Sequence, residues 1–338
     1  MNARRGREET TVRLHSCMNR RSAMVAIGAA VVGAPKAIRA QSPWPSRPLR
    51  IVVPFAAGNS VDVVARLLGD QLSVTLKQPV VIDNRVGAAG IIGTDNVAKS
   101  PADGYSLLLG VDALMAVMPH INSKTPYDPF KDFLPVTQLT SVPFYLITPP
   151  TRPYDSLQQL IAAAKGKPGS ITYASYGIGS ATHIRMEYLN NLAGTTMRHI
   201  PYRTSPLPEM MGGLVEIAFE AATTTIPLVR SGKMKALATT SAKRSAVLPE
   251  VPTVGESLAG YEADGWHALF VPAGTPGEIV ARLNAEAVRI MHSAEMKARL
   301  SDLGLECMGS ATQDFRRFHQ SEYLKWGKIA KENDIRFE

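Results

Sequence analysis

The apolar positions of residues 51–68 change their spacing within a few residues. A β-branched run, Ile51–Val53, is followed by Pro54 and by a loop of small residues, Ala56-Ala57-Gly58-Asn59-Ser60. Beyond this loop the apolar residues recur at the three- and four-residue spacing of a helix, at Val61, Val64, Ala65 and Leu68. The pattern predicts a strand, a short loop and a helix in immediate succession.

The same design recurs near residue 171. A predicted strand over 171–174 runs into Gly177-Ile178-Gly179-Ser180, and a predicted helix begins near Ala181. Such loops leave backbone N–H groups free at a helix N-terminus, where the helix dipole also favours negative charge. Two anion sites of this kind, one in each half of the chain, predict two lobes that close on one carboxylate ligand.

Strands and helices alternate along most of the chain. The predicted strands cover residues 51–53, 80–83, 105–110, 134–139, 143–148, 171–174, 197–201, 215–219, 236–240 and 265–271. The predicted helices cover 61–76, 91–100, 112–119, 157–166, 181–193, 206–212, 223–231, 276–292, 295–304 and 312–331, with a turn and short helix at 128–133. This order predicts an α/β fold with a largely parallel sheet and helices on both faces. Strands crossing near 143–149 and 261–268 would form a two-strand hinge.

The first 40 residues have the pattern of an export signal. Arg20-Arg21 precedes the apolar run 23–34, which is shorter than the ~20 residues that a bilayer span needs. Ala40 offers a small residue before a cleavage point, so the mature chain is predicted to begin at Gln41 in the periplasm. The general secretory and twin-arginine routes both remain open, and Met18 is an alternative start of translation.

Removing that segment changes the charge of the chain. The 338 residues carry 37 basic and 29 acidic side chains. Residues 1–40 hold eight of the basic and two of the acidic ones, which leaves 29 basic and 27 acidic side chains in the mature part. Nucleic-acid binding thereby loses its electrostatic support. Cys307 is the one cysteine of the mature part, so a disulfide within it is excluded.

The mature chain resembles the Bug-type periplasmic solute-binding proteins of tripartite tricarboxylate transporters over residues 44–336. An ordered set of segments carries the resemblance: Trp44 to Phe55, Gly58 to Asp62, Asp83-Asn84-Arg85, Gly87 to Gly93, Ala102 to Tyr105, Gly177 to Ser180 with His183, Pro201-Tyr202-Arg203, Ser231 to Ala238, Leu248 to Val254, and Pro272 to Pro276. The resemblance implies a type II periplasmic-binding-protein fold of two lobes (a Venus-flytrap arrangement). It also implies carboxylate ligands held largely by backbone amides and ordered water, and membrane permease subunits as partners.

Five positions depart from the family's usual residues. The family usually has glycine at Asn59 and Thr204, proline at Val86, a small residue at Tyr176 and an apolar residue at Arg185. Asn59 tolerates a left-handed backbone better than most residues, so the loop is compatible with it. These departures leave the fold intact and leave the identity of the ligand open.

The residues predicted to contact the ligand lie on the loops and on one strand end. They are Phe55, Ala57, Gly58, Asn59, Ser60, Asp62, Gly87, Ala89, Gly90, Tyr176, Gly177, Gly179, Ser180, His183, Thr204 and Glu220.

Each of these predictions has a plainer alternative. For Ser60 the alternative is a helix cap in an ordinary turn, and for His183 it is a residue that only secures its loop. Asp62 or Glu220, if it faced the ligand, would favour a ligand with an amine. The alternative for Glu220 is a paired or solvated carboxylate. Phe55 and Tyr176 have two interpretations: walls for an apolar ligand body, or ordinary core and rim residues.

The segment Gly87–Gly93 is predicted to be a third amide-rich helix start lining the cleft, with close helix packing as the alternative. It lacks the GxGxxG spacing of a dinucleotide site. Ser180 with His183 does not make a hydrolase, because a placed acid and a nucleophile elbow are missing. We predict no catalytic residue, no metal site and no cofactor.

The sequence therefore predicts a monomeric periplasmic protein that captures a small organic carboxylate for a membrane permease. Its first lobe is assigned to residues 41–145 with 264–338, and its second to 146–263. A ligand-binding partner of a membrane sensor kinase and a secreted hydrolase are the alternatives. Tricarboxylates, C4-dicarboxylates, acidic amino acids and aromatic carboxylates all remain open as ligands.

Overall fold

The computed structural model describes residues 44–336, so the predicted export signal lies outside the described residues. The strands are β1 (Leu49–Val53), β2 (Val80–Asn84), β3 (Ser106–Val111), β4 (Phe133–Val142), β5 (Phe144–Thr148), β6 (Thr172–Ser175), β7 (Arg198–Pro201), β8 (Ile217–Ala221), β9 (Lys235–Thr239), β10 (Gly265–Pro272) and β11 (Glu306–Cys307). The α-helices are α1 (Ser60–Leu76), α2 (Ile91–Ala98), α3 (Met118–Ile121), α4 (Leu157–Gly166), α5 (Ala181–Ala193), α6 (Leu207–Met211), α7 (Ala222–Arg230), α8 (Gly277–Met291), α9 (Ala294–Asp302) and α10 (Thr312–Glu332). Within residues 44–336 no helix has the length and apolar character of a membrane span.

Two mixed sheets organise the two lobes. The first has the order β11-β4-β10-β3-β1-β2, and the second has the order β7-β6-β8-β5-β9. The chain leaves the first sheet at Val142 and enters the second at Phe144, and it returns to the first at Gly265. The two-lobed α/β fold with two crossing segments is thus confirmed.

The prediction of a largely parallel sheet is wrong, because five of the nine strand pairings within residues 44–336 are antiparallel, β11 with β4 among them. Strand β10 pairs antiparallel with β3 and β4, and β5 pairs antiparallel with β8 and β9. Both strands follow a crossing, so each enters its sheet in the direction opposite to the parallel strands beside it. The β1–β2, β1–β3, β6–β7 and β6–β8 pairings are parallel, as the alternation of strands and helices predicts.

Local capping explains why several helices begin where the sequence predicts. Ser156 and Ser180 adopt extended backbone conformations, and their hydroxyls accept the N–H of Gln159 and His183. Helices α4 and α5 therefore match their predicted bounds. The short helix predicted at 128–133 is wrong, because the Asp128 carboxylate accepts two following amides and holds the segment as a turn.

The core surrounds both sheets. The main apolar cluster runs from Leu49 and Leu68 in the first lobe to Leu146 and Phe219 in the second. A smaller cluster, with Tyr145 and Met210, covers the opposite face of the second sheet. The parallel strands end at the crossing side of each sheet, so the loops that follow β1, β2 and β6 lie at the strand ends where α/β proteins usually bind ligands.

Candidate ligand-binding cleft

The first loop, residues 54–59, joins β1 to α1 and is fixed by its own side chains. The Asn59 side chain accepts the Asp62 N–H at 2.9 Å as the N-cap of α1. The Asp62 carboxylate accepts the Gly58 N–H at 2.9 Å and also bonds Arg66 and Asn84. The Gly58 amide and the Asn59 side chain are therefore engaged inside the loop.

The amides at the start of α1 remain available. We call an amide open when its N–H has no acceptor among the described residues. By that definition the amides of Ser60 and Val61 are open. The Ser60 hydroxyl lies 3.4 Å from Nε2 of His267. Ala57, three residues earlier in the chain, is exposed. The loop thus offers two amides and a hydroxyl at a helix N-terminus.

Asp62 stabilises the first loop as an ionised group. Its side chain is buried, which opposes ionisation, but the hydrogen bonds from Arg66, Gly58 and Asn84 outweigh burial and lower its pKa. The carboxylate of Asp62 therefore stays negatively charged, and the positive charge of Arg66 compensates it.

The loop after β2, residues 87–90, has four consecutive positive φ angles. We call it the third loop, and the loop after β6, described below, the second. They are 137° at Gly87, 46° at Ala88, 54° at Ala89 and 98° at Gly90. The amides of Ala88 and Ala89 are open, and both residues are exposed. A left-handed alanine costs about 1–2 kcal/mol, and such strain concentrates at functional sites.

The first and third loops are neighbours. A Cβ added to Gly90 would lie 3.3 Å from Cζ of Phe55, and one added to Gly93 would lie 2.9 Å from Cα of Pro54. Close packing therefore explains Gly90 and Gly93, which is the alternative considered from the sequence. Open amides at Ala88 and Ala89 show that the same loop also presents donors.

The second loop, residues 176–180, joins β6 to α5. The Gly177 N–H donates to the Ser175 hydroxyl, and the Gly179 N–H donates to Nδ1 of His183 at 3.2 Å. The amides of Ile178, Ala181 and Thr182 are open. The loop and the first turn of α5 together therefore offer three amides, while Gly177 and Gly179 supply positive φ angles of 104° and 75°.

His183 secures this loop through an aromatic stack. Its ring lies 4.2 Å from the ring of His199, which in turn lies 4.8 Å from the ring of Tyr173. Burial and the neighbouring His199 lower the pKa of His183 to about 3, and burial lowers that of His199 to about 4. Both rings are neutral at pH 7, which suits a base that accepts an amide N–H.

Tyr176 and Glu220 meet at adjacent strand ends of the second sheet. The Tyr176 hydroxyl donates to Oε2 of Glu220 at 3.2 Å. Glu220 is buried in β8, whereas Tyr176 is 41% exposed. Thr204 is exposed after β7, the other neighbour of β6.

A chain of polar contacts joins the first and second loops across the lobes. Arg185, in the second turn of α5, donates to Asp112 at 2.7 Å, to the carbonyl of Ala263 at 2.7 Å and to the carbonyl of Ala181 at 2.7 Å. Asp112 directly follows β3, where Val111 is paired with His267, the residue beside Ser60. The starts of α1 and α5, which follow the first and second loops, are thereby connected through β10, β3 and Asp112.

A cavity with a volume of about 790 Å³ lies elsewhere. It is lined at the crossing segments and by α10, with Ser241, Asp264, Cys307 and Glu322 among its walls. None of the loop residues named above lines it. Its walls carry charges of both signs, so they do not favour an anion over a cation.

The described residues hold no group of three histidine, cysteine or carboxylate side chains placed to bind a metal ion. What the cleft offers is hydrogen-bond donation from open amides on both lobes. Such donors suit the reversible binding of an anionic ligand.

Comparison with known proteins identifies the family. The family model for the tripartite tricarboxylate transporter family receptor matches residues 64–335. The curated Protein BugT of Bordetella pertussis is 35% identical over 93% of this chain and 98% of its own length. The chain belongs to this receptor family.

Solved structures agree with this assignment. A Rhodopseudomonas palustris protein solved with adipate is 34% identical, with a TM-score of 0.81 over 87% of this chain and 99% of its own. The periplasmic binding protein BugD is 32% identical, with a TM-score of 0.78 over 87% of this chain and 100% of its own. The Bug-type resemblance is confirmed, and these relatives are receptors rather than enzymes.

The sequence did not identify three side chains that hold the cleft of this receptor together. His199 stacks on His183, His267 lies beside Ser60, and Asp112 pairs with Arg185. Arg185 was noticed only as a departure from the family. The one available signal for an ion pair was a charge in the apolar face of a predicted helix.

Proposed function

We propose that this receptor captures a small organic carboxylate in the periplasm and delivers it to the membrane permease of a tripartite tricarboxylate-type transporter. Its ligand would be a di- or tricarboxylate, an acidic amino acid or an aromatic carboxylate. The lobes would close around the ligand without covalent chemistry.

The observation that supports this function best is the set of open amides on both lobes. Two amides lie at the start of α1 and two in the third loop. Three lie in the second loop and the first turn of α5. A hydrogen bond from an amide to a charged group is worth about 1.5–3 kcal/mol. Three or four of these, less the cost of ordering, are enough for a micromolar complex of about −8 kcal/mol.

A dicarboxylate fits this arrangement because its two ends can meet different lobes. The Rhodopseudomonas palustris neighbour was solved with adipate, a compound with a carboxylate at each end. The open amides of this chain form two groups. One group, at α1 and the third loop, lies on one lobe, and the other, at the second loop, lies on the other lobe. Each lobe would thus bind one anionic end.

Several finer statements belong to the same proposal. The receptor would act as a monomer after cleavage at residue 40, exported by the general secretory or the twin-arginine route. We assign residues 41–145 with 264–338 to the first lobe and 146–263 to the second. The sixteen residues predicted from the sequence would line or support the site.

Thermal unfolding of residues 41–338 with a panel of carboxylates tests the proposal. Ligand at 100 times its Kd adds about 2.7 kcal/mol of stability, which raises Tm by a few degrees in a protein of this size. Protein that is unfolded, washed and refolded provides the ligand-free reference. The function would be excluded if no carboxylate stabilised that refolded protein.

One substitution tests the amides directly. Ala181 is the first residue of α5, and Ala181→Pro removes its open N–H where proline is compatible with the helix. Ser180 has φ −65° and ψ 158°, which a following proline accepts. We expect carboxylate affinity to fall about tenfold or more, as for one charge-assisted hydrogen bond.

A second helix of the chain supplies the matched control. Ala294 is also a first helical residue after a serine cap, Ser293, whose φ is −66° and ψ 147°. Ala294→Pro should leave carboxylate affinity unchanged, measured by isothermal titration calorimetry. Equal losses in both variants would show that the amide of Ala181 does not contact the ligand.

A further inference from the structure

Glu220 is a buried acid with one oxygen left without a partner. The residue is 2% exposed, and its Oε1 is buried with no hydrogen-bond partner among the described residues. Oε2 accepts only the Tyr176 hydroxyl, at 3.2 Å. A buried carboxylate oxygen without a donor is costly, so such a group in a folded protein calls for a reason.

The surroundings of Glu220 contain no compensating cation. Within residues 44–336 no ion pair joins it to a lysine, arginine or histidine, and Tyr176 is the single side chain there that acts on its ionisation. Burial raises the pKa of Glu220 to about 8, and the Tyr176 hydrogen bond offsets this only in part. Glu220 is therefore mostly protonated at pH 7 until a positive charge comes close to it.

The position of Glu220 places it at the ligand-binding edge of the second lobe. It lies one residue from the end of β8, and Tyr176 follows the end of β6, the parallel neighbour of β8. Tyr176 is also the first residue of the second loop. Its side chain is 41% exposed and contacts the Glu220 carboxyl group, so Tyr176 lies between this buried acid and the surface.

We propose that Glu220 recognises an ammonium group of the ligand, which selects the acidic amino acids from the carboxylates named above. This inference rests on the proposed function and selects one class from it. The open amides of the loops would take the carboxylates, and Oε1 would accept a hydrogen bond from the ammonium. The Tyr176 ring would add a cation–π contact at the same place.

An ammonium group suits Glu220 better than a third carboxylate does. An ionised Glu220 offers only acceptors, which an ammonium matches with donors and with the opposite charge. A ligand carboxylate at the same place would keep Glu220 protonated and would use a buried acid where the loops already offer open amides. The donors and the acceptor of the cleft thus divide between the two kinds of ligand group.

Pairs of ligands that differ by one ammonium test the inference on the wild-type protein. Calorimetry would compare L-aspartate with succinate, L-glutamate with glutarate, and L-2-aminoadipate with adipate. We expect at least one amino compound to bind tenfold or more tightly than its partner. Its binding at pH 7 should also release about one proton from Glu220, seen as a dependence of the heat on the buffer.

Glu220→Gln keeps the shape of the side chain and removes its charge. The preference for the amino compound and the proton release should both disappear, while the amine-free partner keeps its affinity. Glu278→Gln, the same change at an exposed position of α8 in the other lobe, should alter neither. Circular dichroism and Tm would verify that both variants fold.

The outcomes separate this inference from the proposed function. Carboxylate binding without any preference for the amino compound would overturn the role of Glu220 and leave the carboxylate function standing. An amino preference that survives in Glu220→Gln would also overturn it. Failure of all six compounds and of every other carboxylate would count against the function itself and remove the basis of the inference.

Discussion

The first and second loops present the same kind of donors but are held in different ways. The first is fixed inside its own lobe by an ionised network, in which Asp62 bonds Gly58, Asn84 and Arg66. The second is fixed by neutral rings, with Nδ1 of His183 accepting the Gly179 N–H beneath the His199 ring. Ionised side chains therefore support the helix start after the first loop, and uncharged rings support the helix start after the second loop.

The loops differ also in their link to the opposite lobe. The Ser60 hydroxyl contacts His267 on β10, a strand of the same sheet as β1, which precedes the first loop. The helix after the second loop instead carries Arg185, which reaches Asp112 on the other lobe and lies 4.1 Å from the Phe144 ring at one crossing segment. The second loop is thus coupled to the position of both lobes, whereas the first depends on one.

Removal of Asp112 is expected to have the largest effect. Arg185 is fully buried, so Asp112→Ala would leave its charge without a counter-ion, and the free energy of unfolding should fall by about 3–5 kcal/mol. Beside the first loop, Arg66→Ala should lower the free energy of unfolding far less, because Arg66 is half exposed and Asp62 keeps two other donors. Urea unfolding of the two variants measures the difference.

A double variant separates the charge from the packing. Asp112→Leu combined with Arg185→Met replaces the buried pair by apolar groups and should recover most of the lost stability. If the double variant were as unstable as Asp112→Ala, or if Arg66→Ala cost as much, the contrast between a buried and an exposed pair would be wrong.

Acid is expected to loosen the second loop before the first. The usual histidine pKa is 6.5, and that of His183 in the folded protein is about 3. Below pH 6.5 the unfolded chain binds a proton that the folded chain does not, so stability falls by up to about 1.4 kcal/mol per pH unit for this group. The pKa of Asp62 is lowered from its usual 3.8, so its contribution persists until the pH falls below about 4.

Hydrogen exchange of individual amides at pH 7 and pH 5 distinguishes the loops. After correction for intrinsic rates, protection of the Gly179 amide should fall at pH 5, and that of the Gly58 amide should not. His183→Asn retains an acceptor near the position of Nδ1 and removes the titrating ring, so it should weaken the pH dependence of Gly179. Equal loss of protection in both loops would contradict the assignment of neutral and ionised supports.

The sequence predicted the loops and their helices because local signals determine them. The β-branched run before Pro54, the small-residue loop and the helical repeat are all contained in residues 51–68. Serine caps at residues 156 and 180 likewise act over three residues. Elements of this kind are readable without knowledge of the tertiary fold.

The supports of the loops were not predictable in the same way. Arg185 and Asp112 are 73 residues apart in the chain, and Ser60 and His267 are 207 apart. Their meeting depends on how the crossing segments return to the first sheet, which periodicity does not encode. The sequence did suggest that His183 might secure its loop, but its neighbour His199 gave no local signal.

The smallest expected effect concerns backbone strain in the third loop. The second loop uses glycine at its positive φ angles, whereas the third places Ala88 and Ala89 at 46° and 54°. Ala89→Gly would relieve strain of about 1–2 kcal/mol but add freedom to the unfolded chain, so we expect a net gain of roughly 0.5–1 kcal/mol. Gly177→Ala, at φ 104°, should lower stability through backbone conformation, because the added Cβ would meet only the Tyr202 carbonyl oxygen, at an ordinary contact distance of 3.9 Å. Urea unfolding would measure both changes. A loss of stability in Ala89→Gly would contradict this expectation, and it would show that contacts of the alanine methyl group stabilise the loop by more than the backbone strain destabilises it.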